Sequence, residues 1–219
     1  MKVIERKILR KICGMRDKGN ILEIAELRPD YLGFIFYRNS KRFVGDRFAV
    51  PEELPESIKR VGVFVNQPLQ EILKLARCHQ LDLLQLHGTE SAEQCKELQL
   101  EGFPVIKAIA IGAKKDLEVL PYYRLSVDYF LFDSKGNDFG GNGVSFDWSF
   151  LIDIELEAPF FLSGGISSSN VSSLLALKGM NLLAVDINTG VETKPGLKDI
   201  GKIKQLFSIL DSKIKPTTG

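Results

Sequence analysis

Short apolar, β-branched runs recur along the chain, and between them lie longer stretches whose apolar residues return every three or four positions. The first pattern is that of a buried strand and the second that of an amphipathic helix. Strands are predicted at Leu9 to Gly14, Tyr31 to Phe36, Val61 to Asn66, Leu83 to Gly88, Val105 to Ile111, Val127 to Ser134, Pro159 to Gly165 and Leu182 to Gly190. Among the intervening stretches, Leu69 to Cys78 and Ala92 to Leu100 carry helical spacing, which predicts helices covering the outside of a sheet. Strands that alternate with helices predict βαβ units around a parallel sheet. A doubly wound open sheet could use eight such units, but its usual Gly-rich fingerprint after the first strand is missing, and the glycine pairs come late in the chain. The expected fold is therefore a single-domain α/β protein, a (β/α)8 TIM barrel over residues 1–219, with no linker dividing it.

Composition narrows the class of partner. Hydrophobic residues at 44% and charged residues at 26% are the balance of a soluble globular protein. Lys plus Arg number 29 against 28 for Asp plus Glu, so the basic surplus that non-specific nucleic-acid binding requires is absent. The stretch from Met1 to Arg10 is interrupted by Lys2, Glu5, Arg6, Lys7 and Arg10, unlike the apolar core of a secretory signal, and no apolar run is long enough to span a bilayer. Cys13, Cys78 and Cys95 form neither a CxxC pair nor an even disulfide framework, which fits a reducing compartment. The expectation is a cytoplasmic protein that acts on a small molecule, with no nucleic-acid or membrane partner; protein partners stay open.

In such a barrel the active site is built at the C-terminal ends of the strands, and that rule selects few polar residues. Alternation on the first strand puts Leu9, Lys11 and Cys13 on one face and Ile8 and Ile12 on the other, so Cys13 faces the barrel mouth if the isoleucines meet helices. Taken alone, a free cysteine is more often a small buried hydrophobe. The sixth strand closes its apolar run with Asp133, on the face of Tyr129 and Leu131. Asp133 is a candidate general acid, with loop or helix capping as the equal alternative. Gln85 and His87 share a face of the fourth strand, where a hydrogen-bonded structural pair is the expected role, and His79, between a helix and a strand, is expected at the surface.

Two glycine-bearing turns, Ser163-Gly164-Gly165-Ile166 and Asp186-Ile187-Asn188-Thr189-Gly190-Val191, follow the last two strands. Glycines let backbone N–H groups approach an anion, and barrels frequently bind phosphate at these two loops. The stretch Gly140-Gly141-Asn142-Gly143 after Asp133 reads as a mobile flap or as a plain connection. Strands seven and eight lie between six and one in a closed barrel, so the phosphate loops fall on the arc between Asp133 and Cys13. A phosphorylated sugar held there would meet a proton donor on one side and an acceptor on the other, which suits an aldose-to-ketose rearrangement. No metal-ligand cluster or dinucleotide fingerprint competes with that chemistry.

The strings Lys11-Ile12-Cys13-Gly14-Met15-Arg16, Val61-Gly62-Val63-Phe64-Val65-Asn66, Gln85-Leu86-His87-Gly88, Phe132-Asp133-Ser134, Gly140-Gly141-Asn142-Gly143 with Phe146-Asp147-Trp148, Leu162-Ser163-Gly164-Gly165-Ile166 with Asn170-Val171, and Val185-Asp186-Ile187-Asn188-Thr189-Gly190-Val191-Glu192 with Pro195-Gly196 and Lys198-Asp199 follow one another over nearly the whole chain. Together they resemble the phosphoribosylanthranilate isomerase family. The resemblance implies an Amadori rearrangement of N-(5'-phosphoribosyl)anthranilate in tryptophan biosynthesis, without cofactor or metal. It implies Cys13 as general base, Asp133 as general acid, and Arg42, in Ser40-Lys41-Arg42-Phe43, as the holder of the anthranilate carboxylate. Gly164, Gly165, Thr189 and Gly190 would hold the phosphate, and Asp186 would lie near the substrate's hydroxyls. The chain departs from the family's pattern at Thr89, Asn142, Asn188 and Thr189.

Other phosphate-binding barrels compete with this reading. An indole-glycerol-phosphate synthase would show a catalytic lysine pattern, and a histidine-pathway isomerase usually has an aspartate where Cys13 stands. A non-catalytic sugar-phosphate-binding barrel would explain the glycine loops but leave Cys13 and Asp133 as coincidences.

Overall fold

The computed structural model describes residues 7–136, 146–152, 154, 156–177 and 180–213, so the Gly140–Gly143 stretch and Asn142 lie outside the described residues. Eight strands form one sheet: β1 (Leu9–Ile12), β2 (Tyr31–Ile35), β3 (Lys59–Phe64), β4 (Leu83–Leu86), β5 (Val105–Ile111), β6 (Tyr129–Ser134), β7 (Phe160–Leu162) and β8 (Leu182–Ile187). Each pairs in parallel with the next, and β1 returns to β8 with Lys11 opposite Asp186 to close a barrel.

The expected alternation of strand and helix is only partly kept. Helices α1 (Lys18–Ala25), α2 (Leu69–Cys78), α3 (Ala92–Leu100), α4 (Leu120–Tyr123) and α5 (Ile200–Lys213) pack outside the strands, α2 and α3 over the ranges that the apolar spacing predicts. Local chemistry sets their starts. Asp17 accepts the Asn20 N–H at 2.9 Å to open α1, and Ser91 accepts the Gln94 N–H at 3.2 Å to open α3, each satisfying an orphan donor of the first turn.

No helix follows β2. Residues 36–58 run through turns, with Leu54 N–H donating to Pro51 O and Ile58 N–H to Pro55 O. Two prolines four residues apart remove the backbone donors a helix would need there. After β6 and β7 the described helical segments are 3-10 turns, Trp148–Leu151 and Val171–Leu177. β7 also ends earlier than expected, because Gly164 and Gly165 take φ values of +84° and +68°, outside the strand region.

Side chains alternate between two cores. Ile12, Phe34, Leu84, Phe132 and Val185 point outward into the layer between strands and helices. Tyr31, Val61, Leu83, Ile106, Leu131, Phe161 and Ala184 fill the barrel interior. Each large apolar side chain buried in this way contributes roughly 1.5–3 kcal/mol relative to exposure. Above this floor, toward the C-terminal mouth, Cys13, Ile35 and Val63 form a small upper layer with Tyr37 packed on it. The polar residues of the interior therefore sit on a solid apolar plug and open in one direction only.

Candidate active site

Strand alternation carries Cys13 to the barrel mouth as the sequence predicts, since Ile12 joins the outer core and Cys13 the upper inner layer. The thiol has room because β2 carries Gly33 beside it: a Cβ there would lie 2.7 Å from Cys13 Sγ and 3.1 Å from its Cα. Asp133, next to last in β6, is buried, with Oδ1 accepting the Ser134 N–H at 2.9 Å. One cavity at the C-terminal mouth is lined by Cys13, Arg42, Asp133, Asp186, Gly164, Gly165, Thr189 and Gly190, so every site residue expected from the sequence is brought together. Among the described residues, no three His, Cys, Asp or Glu side chains gather in a metal-binding arrangement.

Beneath the cavity a hydrogen-bonded chain crosses the barrel. Lys11 is fully buried, with Nζ 2.9 Å from Asp186 Oδ2 and 2.8 Å from Gln85 Oε1. Burial alone would lower the lysine's pKa, but the charges of Asp186 and Cys13 outweigh it and hold the ammonium above its ordinary value. An ammonium can only donate, so it fixes the amide oxygen of Gln85 toward itself and the NH2 toward His87. Gln85 Nε2 meets His87 Nδ1 at 2.7 Å, which makes Nδ1 the acceptor and places the ring proton on Nε2. His87 Nε2 lies 3.3 Å from Asp133 Oδ2. The expected Gln85–His87 pair is present, and its role is wider than a structural one: it joins the acid candidate to the buried ion pair and lines the cavity.

The Cys13 thiol is itself buried. Burial pushes its pKa up, the charges of Lys11 and Lys198 pull it down, Asp186 opposes them, and the net result lies above the ordinary thiol range. Asp186 leaves one carboxylate oxygen, Oδ1, buried without a hydrogen-bond partner among the described residues. A buried, unpaired acceptor on the wall of a cavity is a place for a ligand hydroxyl.

Arg42 reaches the site from the long segment after β2. Its stem crosses the end of β1 at Gly14, where φ is +73° and a Cβ would stand 2.7 Å from Arg42 Cδ. The guanidinium forks onto Glu192, Nε to Oε1 at 2.8 Å and Nη2 to Oε2 at 2.7 Å, and Nη2 also donates to Thr189 Oγ1 at 3.3 Å. A side chain expected to meet a ligand carboxylate thus already holds a protein carboxylate. No signal in the sequence pairs residues 150 positions apart, and Glu192 and its second partner, Lys198, went unassigned there although both stand in the motif strings.

The two glycine turns touch: a Cβ on Gly190 would lie 2.7 Å from Ile166 O, and one on Gly164 would strike the Ser134 side chain. They form one continuous rim between the end of β6 and the end of β8. Ile35, Tyr37, Val63 and Val65 line the opposite side, an apolar wall that strand patterning did not single out. His79, expected at the surface, is half-buried there. Its ring packs 4.9 Å from that of Phe36 and 5.8 Å from that of Phe48, and burial lowers its pKa, so it belongs to the packing around residues 36–58.

Known proteins share this architecture over the same span. The family profile described as N-(5'phosphoribosyl)anthranilate (PRA) isomerase matches residues 10–208. A protein of Parabacteroides distasonis named N-(5'-phosphoribosyl)anthranilate isomerase is 44% identical over 201 residues, covering 90% of this chain and 90% of its own length. The crystal structure of phosphoribosyl anthranilate isomerase from Thermotoga maritima superposes with a TM-score of 0.81 at 36% identity, covering 94% of this chain and 99% of that one. A phosphoribosyl anthranilate isomerase crystallised with reduced 1-(o-carboxyphenylamino)-1-deoxyribulose 5-phosphate superposes with a TM-score of 0.79 at 34% identity, with the same coverage.

Proposed function

The chain belongs to the N-(5'-phosphoribosyl)anthranilate isomerase family, and from that premise we propose how its own residues divide the work of the reaction. It isomerises N-(5'-phosphoribosyl)anthranilate to 1-(2-carboxyphenylamino)-1-deoxyribulose 5-phosphate, a step of tryptophan biosynthesis. Asp133 gives its proton to the ring oxygen as the bond from that oxygen to C1 breaks, leaving an iminium. Cys13, as thiolate, takes the proton from C2, and the enolamine that results gains a proton at C1 and loses one from the C2 hydroxyl to become the ketone. Proton transfers account for every bond change, so this reading calls for no cofactor.

One observation carries the assignment: Cys13 and Asp133 border the same cavity from β1 and β6, with the Gly164–Gly165 and Thr189–Gly190 loops on the arc between them. Phosphate on that rim sets the sugar between base and acid, and the Asp186 oxygen that lacks a partner accepts a sugar hydroxyl. The aromatic ring packs on Ile35, Val63 and Val65, and its carboxylate meets Arg42. No helix among the described residues is long and apolar enough to cross a membrane, and the three cysteines are unpaired. We propose a cytoplasmic location on the ground that three unpaired cysteines suit a reducing compartment. The direct test incubates purified protein with freshly generated phosphoribosylanthranilate and follows the loss of its fluorescence; no acceleration over the spontaneous background would reject the reading.

A further inference from the structure

Arg42, Glu192 and Lys198 form a nearly sealed cluster beside the cavity, their side chains 11%, 6% and 0% exposed. Glu192 accepts the two Arg42 bonds, Lys198 Nζ at 2.8 Å and the Gly196 N–H at 3.0 Å, so its carboxylate is fully engaged. Burial raises its pKa, but these partners outweigh burial and hold the group below the ordinary carboxyl range, ionised at neutral pH. Burial lowers the pKa of Lys198 against the pull of Glu192, so it is the hydrogen bonds of the cluster, rather than a count of its charges, that fix Arg42. The Lys198 ammonium is spent on Glu192, Asn188 Oδ1 at 2.6 Å and Asn188 O at 3.4 Å.

Arg42 is not spent. Glu192 takes the edge formed by Nε and Nη2, Thr189 takes the second Nη2 proton, and Nη1 has no partner among the described residues. The guanidinium lines the cavity, and Thr189 and Gly190 continue the same wall. A guanidinium presents two edges to carboxylates, and here one edge is permanently occupied. The ligand carboxylate therefore has only the Nη1 end to meet, in an orientation that the protein carboxylate sets.

We propose that Glu192 is a specificity-determining positioning residue: by holding the inner edge of Arg42 while Lys198 holds Glu192, it aims the Nη1 end at the carboxylate of the aromatic ring. The inference rests on the reading that Arg42 takes that carboxylate, and two comparisons separate the failure of either. Both use kcat and KM for phosphoribosylanthranilate and for an N-phosphoribosyl aniline that lacks the carboxylate. Arg42→Lys tests the reading. Equal losses on the two substrates mean that Arg42 does not bind the carboxylate.

Glu192→Gln tests the inference. A buried hydrogen-bonded charge pair that loses one partner weakens binding by about tenfold or more, so KM for the carboxylate substrate should rise at least that far. The KM for the aniline substrate should move less than about twofold, and kcat less than about threefold, because the acid and base are untouched. In the double variant Arg42→Lys, Glu192→Gln, the loss should not exceed that of Arg42→Lys alone, the mark of a residue that acts through another. Equal KM changes on both substrates, additive losses, or a lower KM for the carboxylate substrate would each overturn the proposal, the last by showing that Glu192 competes with the ligand for the guanidinium. If Glu192→Gln does not fold, Glu192→Asp, which keeps the charge but cannot span both Arg42 nitrogens and Lys198, gives the same selective rise in smaller measure or the proposal falls.

Discussion

The base and the acid differ in what surrounds them, and the difference fixes what each should do when altered. General acid and base groups typically contribute about 10²- to 10⁴-fold each, so Cys13→Ala and Asp133→Asn should each lower kcat by that order. Both side chains are small and sit at the cavity wall, so melting curves should stay close to that of the parent. Near-normal turnover in either variant rejects that residue's role. The thiol adds a pH signature. A base works when deprotonated, so activity rises as pH passes through its pKa, and burial has moved the Cys13 pKa upward. The rising limb of kcat/KM should therefore lie above the ordinary thiol value of about 8.5. Lys11 pulls in the favourable direction without winning, and Lys11→Met removes that pull and leaves Asp186 uncompensated. Its limb should move to still higher pH; an unmoved limb would show that Lys11 does not act on the thiol.

At the scale of elements, adjacent strands place the chemistry by leaving room for one another. β2 gives up a side chain at Gly33 so that the thiol at the end of β1 can stand beside it, and an alanine there would press on Cys13 Sγ and Cα at once. Backbone cannot yield as a flexible side chain can. A displacement of about 1 Å at a reacting group can cost about 10²-fold, so Gly33→Ala should lower kcat on that order while KM changes little. A fall confined to KM would place the damage in substrate binding instead. β4 contributes by alternation: Leu84 and Leu86 face the helices while Gln85 and then His87 face the interior, in step with Lys11 on β1 and Asp133 on β6. The segment after β2, freed of helix by Pro51 and Pro55, is what supplies Arg42 and Tyr37 to the cavity.

Across the whole molecule, neighbouring strands are also tied by a buried ion pair, Lys107–Glu90, that does not line the cavity. Lys107, on the outer face of β5, donates to Leu86 O at 3.2 Å, Gly88 O at 2.7 Å and Glu90 Oε2 at 2.9 Å. Glu90 in turn accepts the N–H of Asn66 at 2.8 Å and of Gly88 at 3.0 Å, so one clamp ties the segments just past the C-terminal ends of β3 and β4 to Lys107 of β5. Removing one partner of a buried pair strands the other charge and typically costs about 3–5 kcal/mol. Lys107→Met should lower the free energy of unfolding in urea by that amount, with kcat of the folded protein within about twofold of the parent. A stability loss below about 1 kcal/mol would mean that the clamp is dispensable.

The sequence by itself determined the eight strands, the faces that Cys13 and Asp133 present, and the two glycine turns, because those depend on a period of two and on local backbone freedom that neighbours in the chain dictate. The extents of α2 and α3 were legible for the same reason. The missing helix after β2 was written in Pro51 and Pro55 but masked by the regular rhythm around it. Only the closed barrel decided that Lys11 pairs with Asp186, that Gln85 and His87 reach the acid, and that Glu192 occupies Arg42. Those contacts join residues 46 to 175 positions apart. They arise because closure sets β1 beside β8 and turns all the inward side chains onto one axis, and no local pattern along the chain encodes which of them will meet.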